Sequence, residues 1–159
     1  MSTRVNFMEQ VPNVIKKMVE TGVAVNSGTL GHTIHDLVNI RAAQLNGCAF
    51  CLDMHVKEAK LHGERELRVY HIPGWRESTL FTDRERAALE LTEAVTCLSR
   101  EGISDELFGR VRDYFSEKEI SELVMSIALI NAWTRINVSF RTTPGGMDQM
   151  LGLDKAGLK

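Results

Sequence analysis

No stretch of this chain alternates apolar and polar residues with period two. Apolar positions instead recur at helical spacing along its length, which points to an all-α fold. Ile34, Leu37, Val38, Ala42 and Leu45 share one helical face with Arg41, and Asn46-Gly47 is a strong C-terminal stop. The spacing predicts helices over about 13–25, 33–45, 48–62 and 64–70, with a loop around Pro73-Gly74. Thr82 with Glu85 is a capping box, opening a helix through Ala88, Leu91, Val95 and Leu98 that should stop at Gly102. Ser104 caps the next helix, ending near Tyr114-Phe115. Ser116 with Glu119 is a second capping box and opens a long helix to about Val138. Its Leu123–Trp133 stretch is apolar most of the way round, as in a central helix or a subunit interface. The tail from Arg141, with Pro144-Gly145-Gly146, is expected to be irregular or packed on a neighbour. The expectation is a single-domain helical bundle over residues 1–159, with about six to seven helices.

A chain of 159 residues can bury one good core. The net charge is −2 and both signs are interspersed, so there is no electrostatic footprint for nucleic acid or an anionic membrane. Residues 1–10 have no apolar run of the secretory kind, and the longest apolar stretch is about half a membrane span. The expectation is a soluble, cytoplasmic protein. Three cysteines do not suit a disulfide scaffold, and a CxxC pair in a reducing compartment suggests redox chemistry or a metal.

That pair is Cys48-Ala49-Phe50-Cys51, with His55 four residues on. At about 100° per residue, Cys51 lies about 60° and His55 about 20° from Cys48 around a helix. Directly after the Gly47 stop, Cys48 falls in the first helical turn, where free N–H groups and the helix dipole favour a thiolate. A base one turn from Cys51 raises the reactive fraction of the thiol, and a second thiol can condense with a sulfenic acid. Two other readings compete. Cys48, Cys51, His55 and Ala59 could be a plain core stripe, or Cys48, Cys51 and His55 could hold zinc, with Asp36, His35 or water as the fourth ligand. Asp36, three turns up the preceding helix, could reach His55 across an antiparallel hairpin and orient it; otherwise it is a surface acid beside His32. His32 and His35 read as solvated or capping histidines. Cys97 reads as core, Arg76 and Glu77 as an inter-subunit pair or a solvated loop, and Trp75 and Trp133 as interface or loop anchors.

The run Leu37 to His55 (LVNIRAAQLNGCAFCLDMH) closely resembles the core of the alkylhydroperoxidase D-like branch of the carboxymuconolactone decarboxylase family. Trp75-Arg76-Glu77-Ser78, Phe81 to Leu89 and Trp133-Thr134-Arg135-Ile136-Asn137 are similar to the same branch, and the likeness covers about residues 10–145. The resemblance implies an all-α domain assembling as a homotrimer or homohexamer. It implies a thiol peroxidase that reduces small alkyl hydroperoxides through a CxxC dithiol/disulfide cycle. No bound cofactor is implied; an external dithiol, in some members a lipoylated protein, returns the electrons. The catalytic set it implies is Cys48, Cys51, His55 and Asp36, the last two as a proton relay. Two positions depart from the pattern: Asp36 stands where the branch has Glu, and Ala49-Phe50 lacks the His found between the cysteines of characterised peroxidases. Two functions remain as alternatives. A lactone decarboxylase would use His and Asp and be indifferent to loss of the cysteines, and a non-catalytic redox sensor would oxidise without turning over.

Overall fold

The structure is a computed structural model that describes residues 3–158. Among the described residues it is helical with no strand. The elements are α1 (Phe7–Gln10), α2 (Pro12–Asn26), α3 (His32–Leu45), α4 (Ala49–Leu61), α5 (Glu66–His71), α6 (Asp83–Thr96), α7 (Asp105–Arg112), α8 (Glu117–Phe140) and α9 (Asp148–Leu151). Short 3-10 turns cover Ile72–Gly74 and Leu153–Ala156. The two additions to the expected helices, α1 and α9, are single turns of four residues, too short for a periodic pattern to announce.

Both capping boxes form. The Thr82 and Ser116 side chains accept from the backbone N–H of Glu85 and Glu119, whose carboxylates reach back to the cap N–H groups at 2.7 and 2.9 Å. The α6 helix ends at Thr96, short of Gly102. Beyond it Leu98 points to solvent, and Cys97, expected in the core, is exposed at the helix C-cap. Helical spacing alone continued a pattern that no packing partner supports there.

The α3 helix is the hub, packed against α4, α6 and α8. Leu37, Val38 and Ile40 on it are wholly buried, each contributing roughly 1.5–3 kcal/mol by removal from water. One core cluster joins Ile34 and Val38 to Leu91, Val111, Leu123 and Ile127; a second joins Leu37 and Ile40 to Ala59, Ile72, Trp75 and Leu89. The α8 helix is long and apolar enough to cross a membrane by length and composition. Here it runs through the bundle against α2, α3, α4, α6 and α7. Its buried polar residues are Ser126, Asn131, Thr134 and Asn137.

The turn between α3 and α4 is fixed from α8. Asn46 donates through Nδ2 to Asn131 Oδ1 at 2.9 Å and to Thr134 Oγ1 at 3.0 Å. Gly47 follows with φ +63°, a conformation that a side chain would strain. This lock sets where α4, and therefore Cys48, begins.

Candidate active site

Cys48 is the N-cap residue of α4, and its Sγ accepts from the Cys51 N–H at 3.2 Å. The two cysteines form a disulfide. Both are buried, at 2% and 1% exposure, so neither sulfur is the more accessible. They sit in a cluster with Ala42, Ala43, Phe50 and Ile130, against which Trp133 and Met147 pack. Asn137 on α8 brings its Nδ2 to 3.7 Å from Cys51 Sγ, and the same amide group donates to the Trp133 carbonyl at 3.0 Å.

His55, one turn beyond Cys51, is buried. Its carboxylate partner is Glu58, not Asp36: Nδ1 lies 2.6 Å from Glu58 Oε2. An ionised carboxylate only accepts, so it holds the proton on Nδ1 and leaves the Nε2 lone pair free. Nε2 is buried and has no hydrogen-bond partner among the described residues. Burial works to raise the Glu58 carboxyl, but the hydrogen bond from His55 and the neighbouring imidazoles carry it below its ordinary value.

Asp36 is also buried, at 3%, and its carboxylate faces His62 Nδ1 at 2.9 and 3.1 Å. The expected Asp36–His55 pairing is therefore replaced by two separate pairs, His55–Glu58 and His62–Asp36. The reason is reach. Glu58 is i+3 from His55 on the same helix, whereas the short Asp36 side chain meets His62 at the far end of α4. Burial pushes the Asp36 carboxyl above its ordinary value against the opposing bond and charge of His62. His35 is not solvated: it is 6% exposed, bonded through Nδ1 to Ser126 Oγ at 3.2 Å, and burial lowers its pKa. His32 stacks on His62 with ring centroids 4.2 Å apart. Among the described residues no three His, Cys, Asp or Glu side chains converge as a metal-ligand set. Within the chain Arg76 pairs with Glu93, and Glu93 also accepts from Trp75 Nε1 and Arg41.

A cavity of about 310 Å³ lies beside the site, lined mainly by residues of α2, α4 and α8, with Met8 of α1, Asn39 of α3, Met147 and Leu151 completing it. Met18, Val19, Phe50 and Trp133 give it an apolar lining; Asn39, His55, Glu58 and Asn137 supply the polar part.

Met147 and Leu151, from the segment after the long helix, line the same cavity. Lys57, 5% exposed, bonds Asp53 at 2.8 Å and Asp148 at 2.7 Å, while Asp53 accepts from the Gly145 N–H at 3.0 Å. These bonds hold Met147 against the cysteine cluster. Lys57→Met should cost about 1–2 kcal/mol, less than breaking a fully buried pair. The partner side chains, Asp53 and Asp148, keep 29% and 22% of their surface. The same variant should lose its disulfide severalfold faster to added dithiothreitol, followed by quenched thiol labelling. An unchanged reduction rate would show that reductant does not enter past this segment.

Sequence reasoning missed Glu58 and Asn137. Glu58 could have been read as the i+3 partner of His55. Asn131, Thr134 and Asn137, spaced by three and buried in the C-terminal half of α8, form a polar stripe that marks the face turned to the site.

A profile of the carboxymuconolactone decarboxylase family matches residues 10–94. The uncharacterized protein YdfG of Bacillus subtilis is 38% identical over 139 residues, 87% of this chain and 95% of that protein. A crystal structure from Agrobacterium tumefaciens, of a protein of unknown function named as a candidate antioxidant defence protein AhpD, superposes with a TM-score of 0.86. It is 38% identical and covers 90% of this chain and 98% of its own. A peroxidase-related protein from Ralstonia eutropha with an alkylhydroperoxidase AhpD core shares the fold. Its TM-score is 0.78 at 14% identity, over 88% of this chain and 75% of that one. The chain belongs to the carboxymuconolactone decarboxylase family, in its alkylhydroperoxidase D-like branch.

Proposed function

We propose that the protein is a thiol-dependent peroxidase reducing alkyl hydroperoxides, with Cys51 as attacking sulfur, Cys48 as resolving sulfur and His55 as base. The observation that carries this reading is a CxxC pair one turn from a histidine whose Nδ1 is held by a carboxylate and whose Nε2 is free. In the reduced protein His55 Nε2 takes the Cys51 thiol proton. The thiolate attacks the terminal oxygen of R–O–O–H and the O–O bond breaks. The departing alkoxide takes the proton from His55, giving ROH and a Cys51 sulfenic acid. Cys48 sulfur then attacks Cys51 sulfur; its proton and the sulfenic hydroxyl leave as water, and the disulfide closes. An external dithiol reduces that bond and leaves as its own disulfide, so that ROOH and a dithiol become ROH, water and a disulfide.

The reductant in this reading is a dithiol protein such as a lipoylated one, and the setting is the cytoplasm. The assembly is a homotrimer or homohexamer. Support for self-association comes from α2, which has no buried residue and leaves Val14, Val19 and Val23 more than half exposed.

The test is turnover of cumene hydroperoxide with dihydrolipoamide, together with thiol titration. Multiple turnovers and loss of two thiols per chain on peroxide treatment are expected. One oxidation event without turnover, under any dithiol, would favour a redox switch instead, a second reading that the burial of both sulfurs supports.

A further inference from the structure

Within the cavity beside the disulfide, two buried residues have polar atoms that nothing among the described residues satisfies. His55 Nε2 and Asn137 Oδ1 have no hydrogen-bond partner, and the residues are 7% and 5% exposed. A buried polar atom left unpaired costs free energy, so such a pair is unfavourable unless something else supplies its partner. Both residues line the same cavity of about 310 Å³, at the lower end of the range for small-molecule sites. Most of the remaining lining is apolar, from Met18, Val19, Val23, Phe50, Leu129 and Trp133. A ligand that fits has an apolar body of modest size and one hydroxyl-type end.

We propose that this cavity is the binding chamber for a bulky apolar hydroperoxide and its product alcohol, with Asn137 as the residue that connects chamber and sulfur. Asn137 Oδ1 accepts the ligand's O–H. Its Nδ2, donating toward Cys51 Sγ at 3.7 Å, supports negative charge on that sulfur when it is a thiolate. One amide thus aligns the terminal oxygen with the atom that attacks it. The chamber also sets a preference: hydrogen peroxide has the polar end but no body to bury, so it forgoes the apolar contacts. This inference rests on the peroxidase reading for its chemistry but not for its binding.

The probe is 2-phenyl-2-propanol, the alcohol formed from cumene hydroperoxide, titrated into the oxidised full chain with tryptophan fluorescence as readout, because Trp133 lines the chamber. Saturable binding is expected. Gly22→Leu is the blocking variant. Gly22 lines the chamber, and a Cβ there would meet only Leu129 Cδ2 at 3.5 Å, an ordinary contact. Losing a helical glycine also favours the fold. The variant should weaken alcohol binding at least tenfold and lower kcat/KM for cumene hydroperoxide as much, while changing hydrogen peroxide turnover less than twofold. Val23→Phe, at an exposed lining position, is the second blocking variant should the first lose its circular dichroism spectrum. Asn137→Ala should also weaken alcohol binding, whereas a purely structural Asn137 would leave it unchanged. The proposal is overturned if the wild-type protein shows no saturable binding, or if a folded blocking variant lowers both peroxides in parallel or neither. Binding that is lost in the blocked variants of a protein that turns over no peroxide would sink the peroxidase reading and leave the chamber standing.

Discussion

Cys51→Ser is expected to reduce peroxide-driven oxidation of dihydrolipoamide to the rate without protein, whereas Cys48→Ser should still perform the first chemical step. The asymmetry follows from what surrounds each sulfur. Cys51 has the Asn137 amide within 3.7 Å and His55 one turn away on the same helix. Both can support or create a thiolate at that position. Cys48 is the α4 N-cap, with the Cys51 N–H directed at its sulfur. There the helix dipole stabilises Cys48 as the thiolate that departs when the disulfide is reduced, and a stabilised leaving thiolate speeds exchange. In Cys48→Ser the sulfenic acid formed at Cys51 has no resolving partner. It should accumulate after one equivalent of peroxide and be trapped by dimedone, with the adduct located by mass spectrometry. Turnover retained in Cys51→Ser, with the adduct on Cys48, would reverse the two roles. Exposure does not favour either cysteine, since both sulfurs lie under Met147, Trp133 and Phe50.

The parts of this arrangement that could be read from sequence are those fixed by neighbours in the chain. Gly47, the start of α4 at Cys48, and the capping boxes at Thr82 and Ser116 are local events, decided within four residues, and the structure has them where the residues put them. The end of α6 was less legible, because Leu98 continues the spacing but finds no surface to pack on. The partner of His55 shows the same limit from the other side. The family pattern directs attention to Asp36, twelve residues before Cys48, but a contact between helices depends on their crossing and on side-chain length. Asp36 ends on His62, and the i+3 neighbour Glu58 holds His55. Asn137 illustrates the extreme: 86 residues from Cys51 in the chain, it meets that sulfur only because α8 passes through the middle of the bundle.

If Glu58 orients the base, the two carboxylates should separate cleanly under substitution. His55→Gln should cut kcat/KM for the hydroperoxide by roughly 10²–10⁴, the usual contribution of a positioned base. Glu58→Gln keeps the shape but no longer fixes the proton on Nδ1, because an amide can offer Nδ1 either a donor or an acceptor. A loss of about tenfold in kcat/KM, or 1.4 kcal/mol of transition-state stabilisation, is expected. Both losses are read from kcat/KM for cumene hydroperoxide with dihydrolipoamide as donor. Asp36→Asn should leave kcat/KM within about threefold, a barrier change under 1 kcal/mol. Its effect should appear in stability instead. The Asp36 carboxyl is raised above its ordinary value, with burial the largest cause, so its ionised form costs folding free energy at neutral pH. The asparagine can still accept from His62 Nδ1 without that charge. The variant should be at least as stable as wild type at pH 7, and the difference should vanish as the pH falls below the ordinary Asp value of about 3.9, where both side chains are neutral in the unfolded and folded protein. Urea midpoints at pH 7 and pH 3.5 measure it. A large activity loss in Asp36→Asn with Glu58→Gln unaffected would return the relay to Asp36 and make the His55–Glu58 bond a structural contact.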